Sequence, residues 1–169
     1  MEENTVLKKM LATGVAILTT LAVSTNAHDF KAGTIEIKHP WSKVAPPVAP
    51  VLGGYVTIVN SGTEPDRLLG GSSSIAERFE IHESKTENGV AKMRPLKDGL
   101  VIRPGETVKL EPGGSAHIMF VKPSKRPAAG EKFAGTLMFE KAGAVNVEFA
   151  VQAMGEQPQK VENHQSHQN

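Results

Sequence analysis

Residues 133–151 read "FAGTLMFEKAGAVNVEFAV" and contain two apolar, strand-like runs, 133–141 and 144–151. Both runs are rich in β-branched and aromatic residues, and neither shows the 3.6-residue apolar period of a helix. Ala142 and Gly143 separate the runs, and we predict a hairpin turn there. This stretch therefore predicts antiparallel β structure.

The rest of the chain has the same character. Sixteen glycines and eleven prolines separate short runs with β propensity, a pattern typical of an all-β sandwich or barrel built as a single domain. Segment 39–50, "HPWSKVAPPVAP", carries four prolines. We expect it to wrap an edge, with Trp41 tucked against the sandwich, because proline cannot pair in a central strand. Six further strands are predicted at 34–39, 54–60, 78–82, 90–94, 107–111 and 117–122.

The chain termini differ in composition from this domain. Residues 1–27 have the features of a secretory signal peptide: two lysines, a 14-residue apolar run over 10–23, and small residues before a predicted cut at His28. A membrane span needs about 20 apolar residues, so no stable membrane insertion is expected after cleavage. No cysteine follows the run, so we do not expect a lipid-anchored lipoprotein. The folded domain is predicted over 28–153, and the polar residues 154–169 are predicted to be a disordered tail.

Charge and cysteine content restrict the function. A net charge of +1 argues against nucleic acid or an anionic membrane surface as the main partner. With no cysteine, the protein forms no disulfide, and a metal site has to use histidine, methionine or carboxylate ligands. A blue-copper centre is disfavoured because it needs a cysteine thiolate.

His117 and Met119 are the centre of the functional hypothesis. Alternate residues of a strand share a face, so both side chains of "HIMF" point to the same side. Thioether sulfur selects Cu(I), and imidazole suits copper. If His82 and Met93, on either side of an Asn-Gly turn, converge on the same point, the four residues make a cysteine-free Cu(I) site. Each residue alone also has an ordinary interpretation as a packed or surface side chain, and Met138 is expected in the core.

Other histidines define a second hypothesis. Cleavage before His28 would leave its imidazole beside a free α-amino group, and both are donors for Cu(II). His164 and His167 lie in the polar tail, where they form a weak secondary Cu(II) site or are simply solvated. A frayed N-terminus without a fixed site is the alternative for His28.

Residues 80–120, "EIHESKTENGVAKMRPLKDGLVIRPGETVKLEPGGSAHIMF", closely resemble the PCu(A)C family of periplasmic copper chaperones. Ten residues separate His82 from Met93, and the 23 residues before His117-x-Met119 are slightly more than the family's usual interval. Flanking segments "HPWSK" and "FEKAG" extend the resemblance over roughly residues 34–151. The interval fits a slightly longer loop and leaves the ligand pattern intact.

The resemblance implies a cupredoxin-like Greek-key β-sandwich that binds Cu(I) through His82, Met93, His117 and Met119. It also implies a periplasmic carrier that is not an enzyme, with a cytochrome oxidase copper-site subunit or a Sco-type copper protein as partner. Two other classes stay open on the residues alone. One is an exported interaction module with incidental His and Met residues, and the other is a copper oxygenase that uses His28 and its amine.

Overall fold

The computed structural model describes residues 29–155. The predicted signal peptide, almost all of the predicted tail, and His28, His164 and His167 lie outside the described residues. Within residues 29–155, no helix has the length and apolar character needed to cross a membrane.

The described part of the chain contains eleven β-strands, which confirms the all-β prediction. Each of the eight runs predicted as strands overlaps one of these eleven strands. The strands are β1 Phe30–Ala32, β2 Ile35–Lys43, β3 Val51–Asn60, β4 Asp66–Ser73, β5 Ala76–Glu87, β6 Val90–Pro95, β7 Leu100–Ile102, β8 Thr107–Leu110, β9 Ala116–Pro123, β10 Lys132–Phe139 and β11 Ala144–Gln152.

The strands form one hydrogen-bonded sheet in the order β6-β5-β9-β3-β2-β11-β10-β4-β7. In addition, β1 pairs with β2, and β8 pairs with β3. Neighbours along the path are antiparallel except β11 and β2, which are parallel. The sheet folds over itself, because Phe120 of β9 contacts Phe133 of β10 and Phe149 of β11, with ring centroids 5.2 and 5.1 Å apart. Two layers thus enclose one core, as in a sandwich.

Strict alternation along the strands builds that core. The ten residues of β3 alternate between half-buried and buried, with Leu52, Val56 and Ile58 on the buried side. On β9, Ile118 and Phe120 are fully buried, so His117 and Met119 project from the opposite face of the same strand. The core therefore fixes which side of the sheet these two residues occupy.

Segment 39–50 differs from the prediction. Residues 39–43 belong to β2, which lies between β3 and β11 and is not an edge of the sheet. The pairing of β2 with β3 shifts register between Lys38 and Trp41, where His39 adopts a φ of 50°. This bulge places Pro40, which has no N–H to donate, outside the regular ladder. Trp41 is tucked in as expected, with its ring centroid 4.5 Å from that of Tyr55.

Two further expectations need correction. Met138 was predicted in the core but is 42% exposed, because its neighbours Leu137 and Phe139 take the inward positions of β10. Strands β1, β4 and β7 were not predicted. In β4, the sequence "DRLLGGSS" has the composition of a loop, yet the ring of Phe79 packs over Gly71, where a Cβ would lie 3.1 Å from the ring.

Candidate metal centre

A two-residue turn places His82 and Met93 on adjacent strands. Asn88 and Gly89 both have positive φ values, 53° and 78°, as a type I′ hairpin turn requires. The β5–β6 ladder that follows pairs His82 with Pro95 and Ser84 with Met93. Strand β5 continues to Glu87, whereas the predicted run stopped at His82. Because paired residues share a face, His82 and Met93 lie on the same side of the hairpin.

Strand β9 pairs with the other edge of β5. His117 is directly opposite His82, and Met119 is directly opposite Glu80. Since residues two apart on a strand share a face, His82, Met93, His117 and Met119 all lie on one face of β6-β5-β9. That face is the outer one, because Ile81 and Ile118 on the same strands point into the core.

The two histidines face each other at a distance suited to a shared ion. Their ring centroids are 5.9 Å apart, and the ring planes are tilted by 42°. An imidazole nitrogen binds a first-row metal such as zinc at about 2 Å, so one ion fits between two rings at this spacing. His117 is 9% exposed. Burial is the main cause that lowers its pKa from 6.5, and the nearby His82 lowers it further. His117 is thereby held as the neutral imidazole that a metal requires.

The methionines differ in accessibility. Met93, on the edge strand β6, is 59% exposed, whereas Met119 is half-buried in the interior strand β9. Met119 also lies opposite Gly53 of β3. A Cβ at Gly53 would come within 2.9 Å of Cζ of Tyr55, so the phenol ring occupies the space above that glycine. The candidate site is thus enclosed on the β3 side and open on the β6 side.

Sequence reasoning missed Glu80. Its Oε2 lies 2.8 Å from Nε2 of His82, and its Oε1 accepts a hydrogen bond from Nε of Arg78 at 3.1 Å. The hydrogen bond with His82, followed by that with Arg78, lowers the pKa of the carboxyl below 4.5. The spacing Glu80-x-His82 was the available signal, because it places both side chains on one strand face.

Comparison with known proteins shows the family of the chain. The model of the LpqE-like family matches residues 35–151, which is more than half of the sequence. The chain belongs to the LpqE-like family. This LpqE-like chain is 32% identical over 109 residues to Lxx21020 of Leifsonia xyli subsp. xyli (strain CTCB07). That relative is named as a lipoprotein. The match covers 64% of each sequence, slightly less than two thirds of the relative's length.

Solved structures similar to the LpqE-like chain are PCuAC domains, as the resemblance implied. The copper-bound PCuAC domain from PmoF2 is 32% identical, with a TM-score of 0.64 over 75% of this chain and 98% of that domain. The apo PCuAC domain from PmoF1 is 25% identical, with a TM-score of 0.64 over 75% and 99%. Cu(I)-loaded DR1885 from Deinococcus radiodurans, 21% identical, shares the fold with a TM-score of 0.59 over 80% and 87%. These structures establish the cupredoxin-like fold of the chain.

We predict that the metal-free LpqE-like chain loses stability in mild acid, because of the half-buried His39 and the buried His117. Burial lowers the pKa of His39 and His117 from 6.5, although Asp29 partly opposes the effect on His39. Just below pH 6.5, the unfolded chain therefore binds more protons than the folded chain. The stabilisation that these histidines provide is fully present above that pH and is lost as the pH falls through their pKa values in the folded state. The carboxyl groups with a lowered pKa, such as that of Glu80, affect the pH dependence of stability only below about pH 4.5.

Urea unfolding in the presence of a chelator, at about pH 7 and about pH 5.5, measures this difference. We expect a lower midpoint at the lower pH. In His39→Asn the difference should shrink, because asparagine tolerates the positive φ but does not titrate. Equal midpoints for the wild type would contradict the prediction.

Proposed function

We propose that this protein is an exported copper carrier that binds one Cu(I) ion through His82, Met93, His117 and Met119. It acts by binding and release, without catalysis. The observation that carries the proposal is the direct register of His82 with His117, flanked on the same strand face by two methionines. Two imidazoles and two thioethers are a soft, uncharged donor set of the kind that favours Cu(I).

Release follows from the unequal exposure of the ligands. Met93 is 59% exposed and His117 is 9% exposed. An acceptor can therefore reach the ion from the β6 side and displace the Met93 sulfur first, while the buried imidazole still holds the ion. Thioethers need no deprotonation to bind, so capture and release on this side involve no proton. We therefore expect the displacement of the Met93 sulfur, the first step of release, to depend little on pH.

The family and its lipoprotein relative support export, and we propose the periplasm as the compartment. A cytochrome oxidase copper-site subunit or a Sco-type copper protein is the proposed acceptor. The secondary Cu(II) site at His28, His164 and His167 stays a prediction, since these residues lie outside the described part of the chain.

An anaerobic competition titration with a chromophoric Cu(I) chelator tests the proposal. We expect the exported protein to withdraw one equivalent of Cu(I) from the chelator. Binding only to the folded state also stabilises it, by about 4 kcal/mol when free ligand is a thousandfold above Kd. The melting temperature should therefore rise with Cu(I). No withdrawal of copper together with an unchanged melting temperature would favour the interaction module instead.

A further inference from the structure

Glu80 is a charged side chain in direct contact with a proposed ligand, His82. It lies on the same strand face as His82 and directly opposite Met119, between two of the proposed ligands. Its side chain is 30% exposed. Arg78 holds the other carboxylate oxygen at 3.1 Å, and this arginine also contacts Glu77 at 3.5 Å. The carboxylate is thus fixed at both oxygens.

The contact determines the tautomer of His82. An ionised carboxylate has lone pairs and no proton, so it only accepts hydrogen bonds. At 2.8 Å from Glu80, Nε2 of His82 therefore carries the hydrogen. In a neutral imidazole the other nitrogen, Nδ1, then has the free lone pair. A metal-binding histidine commonly donates its second ring N–H to a carboxylate, which orients the ring and makes the ligating nitrogen more basic.

We propose that Glu80 is a positioning residue for copper, which holds His82 as the Nε2–H tautomer so that Nδ1 is the nitrogen offered to Cu(I). This inference rests on the proposed function and adds the atom through which His82 binds. The carboxylate also adds a negative charge beside a cationic ion without entering its ligand set. Arg78 supplies the opposing restraint that keeps the carboxylate from moving onto the ion.

The nitrogen-15 spectrum of the imidazole rings tests the tautomer without reference to copper transfer. In the metal-free wild type, we expect the long-range proton–nitrogen pattern of His82 to be that of an Nε2–H ring. Addition of Cu(I) should move the Nδ1 resonance while Nε2 keeps its proton. An Nδ1–H pattern in the metal-free protein, or a copper-dependent shift and proton loss at Nε2, would overturn the proposal.

Variants at Glu80 test its effect on affinity. Loss of such an outer partner typically costs 10–100-fold in metal affinity, and we expect a loss in that range for Glu80→Ala in the chelator titration. Glu80→Gln should lose less, because its amide oxygen still accepts from Nε2–H. Glu83→Ala is the matched control: Glu83 is adjacent to His82 in sequence but pairs with Lys85 at 3.0 Å.

The outcomes separate the two proposals. If the wild type and Glu80→Ala bind Cu(I) with the same affinity, the role of Glu80 is overturned. The proposal of a copper carrier is then unaffected. Wild-type protein that binds no Cu(I) would overturn both. A loss confined to Glu80→Ala, with Glu83→Ala unchanged and the expected His82 tautomer, would support the proposal. A circular dichroism melt of each metal-free variant checks that the fold is retained.

Discussion

Replacing Met93 and Met119 together with alanine is expected to lower Cu(I) affinity by about a hundredfold or more. The loss should exceed the 10–100-fold typical of removing an outer partner, because both thioether ligands are removed. The remaining donors, His82 and His117, are imidazoles with less preference for the cuprous ion over other metals. The double variant should therefore also lose discrimination between Cu(I) and Zn(II).

The fold should survive this change. Met93 is 59% exposed and Met119 is half-buried, so neither substitution opens a fully enclosed cavity. Met138→Ala is the matched control, because Met138 is 42% exposed on β10, a strand that does not border the site. Chelator titrations of the three proteins measure the effect. Equal affinity in the wild type and the double variant would show that the methionines are not ligands.

Phe120→Ala is expected to destabilise the metal-free protein by about 3–5 kcal/mol. Phe120 is fully buried, and its ring makes edge contacts with Phe79, Phe133 and Phe149 at centroid distances of 5.6, 5.2 and 5.1 Å. The alanine leaves a cavity where the two layers of the sandwich meet. A loss of this size is a large part of the 5–15 kcal/mol that stabilises a typical domain.

Urea unfolding of the metal-free proteins measures this loss. Val121→Ala is the matched control, because Val121 follows Phe120 on β9 but is half-buried on the outer face. Its substitution should cost a smaller amount, about 1 kcal/mol. A loss below about 1 kcal/mol for Phe120→Ala would contradict the core described above.

The shared face of His117 and Met119 could be predicted from the sequence, since it follows from alternation along one strand. The turn at Asn88-Gly89 was also predictable, because few residues adopt positive φ at two successive positions. The first rule indicated one half of the site, whereas the turn placed His82 and Met93 on neighbouring strands without fixing their register. The pairing of His82 with His117 was not predictable, because their 34-residue separation leaves the register between β5 and β9 to the packing of the core.

The failures have similar physical causes. Pro40 was expected to exclude its segment from the interior of the sheet, but a bulge with His39 at positive φ removes the conflict. The glycines of β4 suggested a loop, whereas Gly71 makes room for the ring of Phe79 on the next strand along the chain and pairs with Leu137 of β10. Both segments also pair with a strand that is distant in sequence, β2 with β11 and β4 with β10, and no local pattern indicates such pairing.

The copper K-edge absorption spectrum of the Cu(I)-loaded protein tests the ligand set most directly, because sulfur and nitrogen scatter differently in the first coordination shell. We predict a cuprous edge with two sulfur and two nitrogen neighbours, and loss of the sulfur contribution when Met93 and Met119 are both alanine. A first shell of nitrogen and oxygen alone in the wild type would contradict the account.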